Sequence, residues 1–102
     1  MASKKRTSLE QLAAEAIRLG ADQLDVEYKN GCEEVFAMKS NFGFGIASLR
    51  SSSPEATSLR HELYALSMKK QRVTIDDRTY ELRARIYDSF GENAFRVALR
   101  PL

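Results

Sequence analysis

The stretch RVTIDDRTYELRARIYDSFGENAFRVALRPL, residues 72–102, decides how this sequence folds. Apolar and polar residues alternate through it. Tyr80, Leu82, Ala84 and Ile86 share one face of an extended chain, and Glu81, Arg83 and Arg85 share the other. Phe95, Val97 and Leu99 alternate in the same way with Arg96, Ala98 and Arg100. A period of two marks strands with one buried and one wet face. Asp76-Asp77 and Gly91-Glu92-Asn93 carry turn chemistry. The spacing predicts three antiparallel strands at about 72–76, 79–87 and 94–100.

Upstream of this meander, Ser51-Ser52-Ser53-Pro54-Glu55 reads as a helix start. Ser53 is the expected N-cap, Pro54 takes the first helical position and Glu55 lies in the first turn. Ala56, Leu59, Leu63 and Leu66 then hold one face, and the helix is expected to reach about Lys70. A first helix is predicted from Ser8, whose side chain would form a capping box with Gln11. Leu9, Leu12, Ala13, Ala16 and Ile17 form its apolar stripe, and Gly20 ends it in the left-handed conformation.

Residues 23–28 alternate again, and Lys29-Asn30-Gly31 is a hairpin signal. Two registers compete here. A two-residue Asn-Gly loop would pair Tyr28 with Glu33 and Val26 with Val35. A three-residue loop with Gly31 in a bulge would pair Tyr28 with Cys32 and Leu24 with Phe36. The second puts Phe36 and Met38 on the side of Leu24 and is the expected one. It leaves Asp25, Glu27, Glu33, Val35 and Ala37 on the other face. A further strand is expected near Phe44–Leu49. Gly43-Phe44-Gly45 has neither the third glycine nor the crossover helix of a dinucleotide site, so these read as turn and strand-edge glycines.

The order is therefore α-β-β-(β)-α-β-β-β. It predicts an α+β two-layer sandwich, a mostly antiparallel sheet of about five to six strands with two helices on one face. The 102 residues fit a single domain over 8–102, preceded by a basic arm over 1–7. A net charge of +2 does not by itself argue for nucleic acid. The one cysteine, Cys32, excludes an internal disulfide and favours a reducing setting. There is no run of 18 apolar residues, and the basic start lacks the apolar core of a signal peptide, so a cytoplasmic protein without membrane contact is expected.

Nothing in the chain assembles catalytic chemistry. His61 is the single histidine and has no ligand or nucleophile at a useful spacing. Glu33-Glu34 and Asp76-Asp77 are adjacent pairs, and neighbours on a strand point to opposite faces. No catalytic residue, metal ligand or cofactor site is expected, and the protein reads as a non-enzyme. The unusual set is Arg83, Arg85, Arg96 and Arg100, all on the polar face of the closing strands, with Arg72 as an extension. Arginines this close repel one another unless carboxylates, a phosphate or an acidic surface meets them. This face is the candidate interaction site. A salt-bridged wet face, with Glu81, Asp25 or Glu27 as partners, is the commoner reading of such a set and competes with it.

Three stretches resemble one family in order and spacing. LAAEAIRLGADQLDVEY, residues 12–28, is similar to the first helix and strand of the N-terminal domain of type II secretion and type IV pilus assembly ATPases. Residues 59–70 resemble that domain's second helix. VTIDDRTYELRARIYDSFGENAFRVAL, residues 73–99, resembles its closing meander, with Leu82-Arg83 on the Leu-Arg strand and Gly91-Glu92 at the Gly-Glu turn. The family strand's histidine and proline are Asp25 and Tyr28 here, and the RecA-like ATPase domain is absent from this sequence. The resemblance implies a PAS-like module that packs on a neighbouring motor subunit, with Arg83 as the one position matching a family arginine. It thus implies a protein-interaction or adaptor module, with a secretion or pilus motor ATPase as its partner. A small nucleic-acid-binding domain using the arginine face and a PAS-like small-ligand sensor are the alternatives. Oligomeric state does not follow from these residues.

Overall fold

The computed structural model describes residues 6–102. The elements follow in the order α1 (Ser8–Arg18), β1 (Gln23–Lys29), β2 (Cys32–Lys39), β3 (Phe42–Arg50), α2 (Pro54–Met68), β4 (Gln71–Ile75), β5 (Arg78–Ser89) and β6 (Glu92–Pro101). The six strands form one open antiparallel sheet in the order β3-β2-β1-β6-β5-β4. The chain thus runs through helix plus three-strand meander twice, and the two meanders join where β1 meets β6. The α+β sandwich expected from the sequence is what forms.

Three of the four hairpin turns hold both central residues at positive φ: Asn30-Gly31, Asp76-Asp77 and Phe90-Gly91. These are two-residue loops of the kind whose twist matches that of paired strands. They set the registers Lys29↔Cys32, Ile75↔Arg78 and Ser89↔Glu92. The tight last turn lengthens β5 and β6 by two residues at the hairpin end beyond the predicted strands. It also leaves Phe90 fully in solvent.

The first turn corrects the expected register. Tyr28 pairs with Glu33, Val26 with Val35 and Leu24 with Ala37. Val35 and Ala37 are fully buried, and Glu33 faces the helices too. Phe36 and Met38 lie on the opposite face instead. Turn geometry overrides the apparent apolar match because a one-residue slip would send every β2 side chain to the wrong side. Their place over β3 explains the paired glycines. A Cβ on Gly43 would sit 2.6 Å from Met38 Sδ, and one on Gly45 would touch the Phe36 ring at 3.9 Å.

The helices begin on their caps. Thr7, one residue before the predicted Ser8, is the N-cap of α1, and its Oγ1 accepts from the Glu10 amide while Glu10 Oε1 accepts from the Thr7 amide. The capping partner is therefore Glu10 rather than Gln11. Residues 1–5 of the predicted arm lie outside the described residues, and Thr7 belongs to the helix start. Ser53 caps α2 as predicted, with Pro54 following. That helix stops at Met68, short of Lys70, because Lys69 turns extended.

Both helices pack on the same sheet face. Ala56, Leu59, Leu63 and Leu66 of α2 are all at or below 1% exposure. Leu9, Ala13 and Ala16 of α1 join Leu24, Val26, Leu82, Phe95, Val97 and Leu99 of the sheet in one core. Burying each large side chain contributes about 1.5–3 kcal/mol. Two polar ties fix α1. The Leu9 amide donates to Glu62 Oε2 at 2.9 Å. Arg18 makes a fork of two 3.0 Å bonds to Asp76 in the β4–β5 turn, holding that carboxyl below its usual range.

Candidate interaction face

The sheet face away from the helices is covered by no other element among the described residues. All four predicted arginines lie on it, because residues opposite one another in an antiparallel pair share a face. Arg85 stands across from Arg96, Arg83 across from Ala98 and Arg100 across from Glu81. Arg83, Arg85, Arg96 and Gln23 surround a hollow of about 390 Å³ floored by Ala98. The small side chain at 98 leaves room between three guanidinium groups. Arg100 lies outside this hollow, beside Glu81, which also pairs with Lys70 at 3.6 Å. The register puts Arg72, also across from Glu81, on the same face.

The arginines differ in their ties. Arg96 forks onto Asp25, with Nε 3.3 Å from Oδ1 and an Nη 3.4 Å from Oδ2. This hydrogen bond raises the guanidinium's affinity for its proton. Asp25 is only 6% exposed although it lies on the open face, and Gln23 Nε2 donates to it at 3.0 Å. The Arg96 guanidinium also lies 5.2 Å over the Tyr87 ring, and the Tyr87 hydroxyl donates to Glu27 at 2.9 Å. No ion pair among the described residues holds Arg83, Arg85 or Arg100. Of the four arginines Arg96 is the one in an ion pair, and Glu81 on the same face pairs with Lys70 instead.

Tyr87 reports on this network. Burial, and then its bond to the Glu27 carboxylate, push its hydroxyl up from 10.0 to about 12. A raised pKa means that the folded protein holds this proton more tightly than the unfolded chain. The resulting stability is present below about pH 10 and is lost as pH rises through about 12. In an absorbance titration, a tyrosinate phase should appear near pH 12, and Tyr87→Phe should remove it. A high-pH titration that Tyr87→Phe leaves unchanged would disprove the coupling.

A second polar cluster escaped sequence reading because the rejected register is the real one. Glu33, 5% exposed, accepts from Ser51 Oγ at 2.8 Å and lies 3.6 Å from an Arg60 nitrogen. Arg60 also donates to the Ser51 carbonyl at 3.0 Å. The cluster lines a cleft of about 380 Å³ with Tyr28, Tyr64 and Asn93. Its charges and hydrogen bonds are satisfied internally, and it fastens the end of the β2–β3 hairpin to α2. The Asn30-Gly31 pair was the signal that could have found it.

Cys32 is half-buried at the start of β2, and His61 is exposed on α2. Among the described residues no cluster of histidine, cysteine and carboxylate side chains has the makings of a metal site, and no helix is long and apolar enough to cross a membrane. The sequence matches no protein-family model and no curated protein. Fold and face together define an open-faced antiparallel α+β sandwich with an arginine-ringed hollow.

Proposed function

We propose that this chain is a non-catalytic interaction module whose open sheet face docks an acidic protein segment through Arg83, Arg85 and Arg96. The observation that carries this reading is the convergence of three guanidinium groups over Ala98, two of them with no internal ion pair. Planar guanidinium forks suit carboxylates held in place by a folded partner. Asp25, Glu27 and Glu34 line the neighbouring strands β1 and β2. That acidic border confines favourable contact with an anion to the arginine side of the sheet, around the hollow. The resemblance to secretion and pilus ATPase N-terminal domains makes a hexameric motor ATPase the first protein partner to test.

Nucleic acid is the second reading, favoured by the same arginine trio. One experiment separates the two. The protein is titrated with a glutamate-rich peptide, with a purified motor ATPase, and with single- and double-stranded oligonucleotides at about 50 mM salt, where phosphate contacts are strong. The peptide or the motor should bind, and the double variant R83E/R85E should weaken that binding about 10- to 100-fold. Both side chains are exposed, so the fold should survive, as circular dichroism can check. Failure of peptide and motor alike overturns the reading. Oligonucleotide binding that the double variant abolishes replaces it with the second.

A further inference from the structure

The two edges of the sheet are built differently. β4 is five residues long and carries Arg72 at its second position. Short, charged edges resist pairing with other chains. β3, at the opposite edge, is nine residues long and has no charged residue from Phe42 to Leu49. Phe42 and Phe44 are 72% and 57% exposed, and no proline guards the strand. One bulge interrupts it, where Val35 pairs with Ala47 and Phe36 with Gly45, so that Ile46 is the extra residue.

This bulge gives the edge a symmetry. In a regular strand, positions equidistant from the midpoint between residues 45 and 46 fall on opposite faces. The inserted residue reverses the alternation there. Pairing with Ala37, Val35 and Glu33 places Phe44, Ala47 and Leu49 on the helix-side face, and Phe42 follows by alternation. That set reads the same from either end. A two-fold axis through the bulge sets Phe42 against Leu49 of the second copy, and Phe44 against Ala47 of the second copy, each pair on one face. Gly43 meets Ser48, and Arg50 meets Asn41, so no like charges oppose. A large residue lies across from a small one near the centre, where Phe44 meets Ala47.

We infer that two copies of this chain pair antiparallel through β3, extending the six-stranded sheets into one sheet of twelve across a two-fold axis. The pairing would satisfy the free backbone groups of the edge and cover both phenylalanines. It leaves the arginine hollow of each copy open.

Sedimentation equilibrium from about 1 μM to about 1 mM spans the affinities expected of such an edge. The mass should rise to that of a dimer. Phe44→Lys should raise the dissociation constant at least about tenfold, since one ammonium at each edge opposes the pairing. Phe90→Lys, at the exposed β5–β6 turn, should leave it unchanged. Hydrogen exchange on the unaltered protein provides a second measure. The β3 amides should become more protected as concentration rises, and the β4 amides should not. A monomer throughout, a dimer indifferent to Phe44→Lys, or concentration-dependent protection at another surface overturns the inference.

Discussion

Val35→Lys is expected to unfold the protein, whereas Phe36→Lys, one residue on, is expected to leave it folded. Val35 is fully buried on the helix-side face, across from Val26 and Ala47. A lysine there forfeits about 2 kcal/mol of apolar burial. It also brings an unpaired ammonium into the core, at a cost of several kcal/mol more even after relaxation. The sum rivals the entire stability of a domain of this size, roughly 5–15 kcal/mol. Phe36 lies half-buried on the open face over Gly45, and its replacement should cost about 1 kcal/mol. Denaturant melts of the two variants check the register directly. If Val35→Lys proved the milder change, β2 would have to pair in the slipped register.

Phe95→Ala should be the most damaging single truncation. The ring is 2% exposed and meets Tyr64 of α2 edge-on, with centroids 5.0 Å apart and planes at 89°. It lies on β6 between Val26 of β1 and Ile86 of β5, so it touches the junction of the two meanders and the helix above them. Removing a buried phenylalanine costs about 3–5 kcal/mol, through lost transfer free energy and an unfilled cavity. For a domain this small the thermal midpoint should fall by roughly 15 °C or more. Phe95→Leu keeps much of the volume and should lose about 1 kcal/mol. A fall below about 1 kcal/mol for the alanine variant would show that the site collapses around the gap.

The sequence carried most of this architecture, and its failures have physical causes. The stripe of Ala56, Leu59, Leu63 and Leu66 was readable because helical spacing and burial coincide there. The alternation of Phe95, Val97 and Leu99 was readable for the same reason on a strand. Register was not, because Val-Phe-Ala-Met at 35–38 is apolar on both faces and offers no alternation to choose by. The decision then passes to the turn, and Asn30-Gly31 takes the tighter of two geometries. Glu33 was misplaced as a direct consequence. The arginine face was foreseeable as a face, since Arg83, Arg85, Arg96 and Arg100 all alternate with apolar residues. Which of them are tied was not. Arg96 finds Asp25 only through the β1–β6 pairing, a contact between distant segments that no local pattern announces.

That same pairing has a kinetic meaning. Four of the five strand contacts are hairpins between consecutive strands, and each can close locally. The fifth joins residues 23–26 to residues 95–98 in the middle of the sheet. Closing a loop of about 70 residues costs on the order of 4 kcal/mol in chain entropy before any contact offsets it. The two meanders can therefore take shape independently and early, while the central seam waits on a rare encounter between distant segments. Until it closes, β1 and β6 each present an unpaired backbone and the half-core residues Leu24, Val26, Phe95 and Val97 to whatever is near. Of the five strand pairings, the one at the centre of the sheet therefore carries the largest chain-entropy cost.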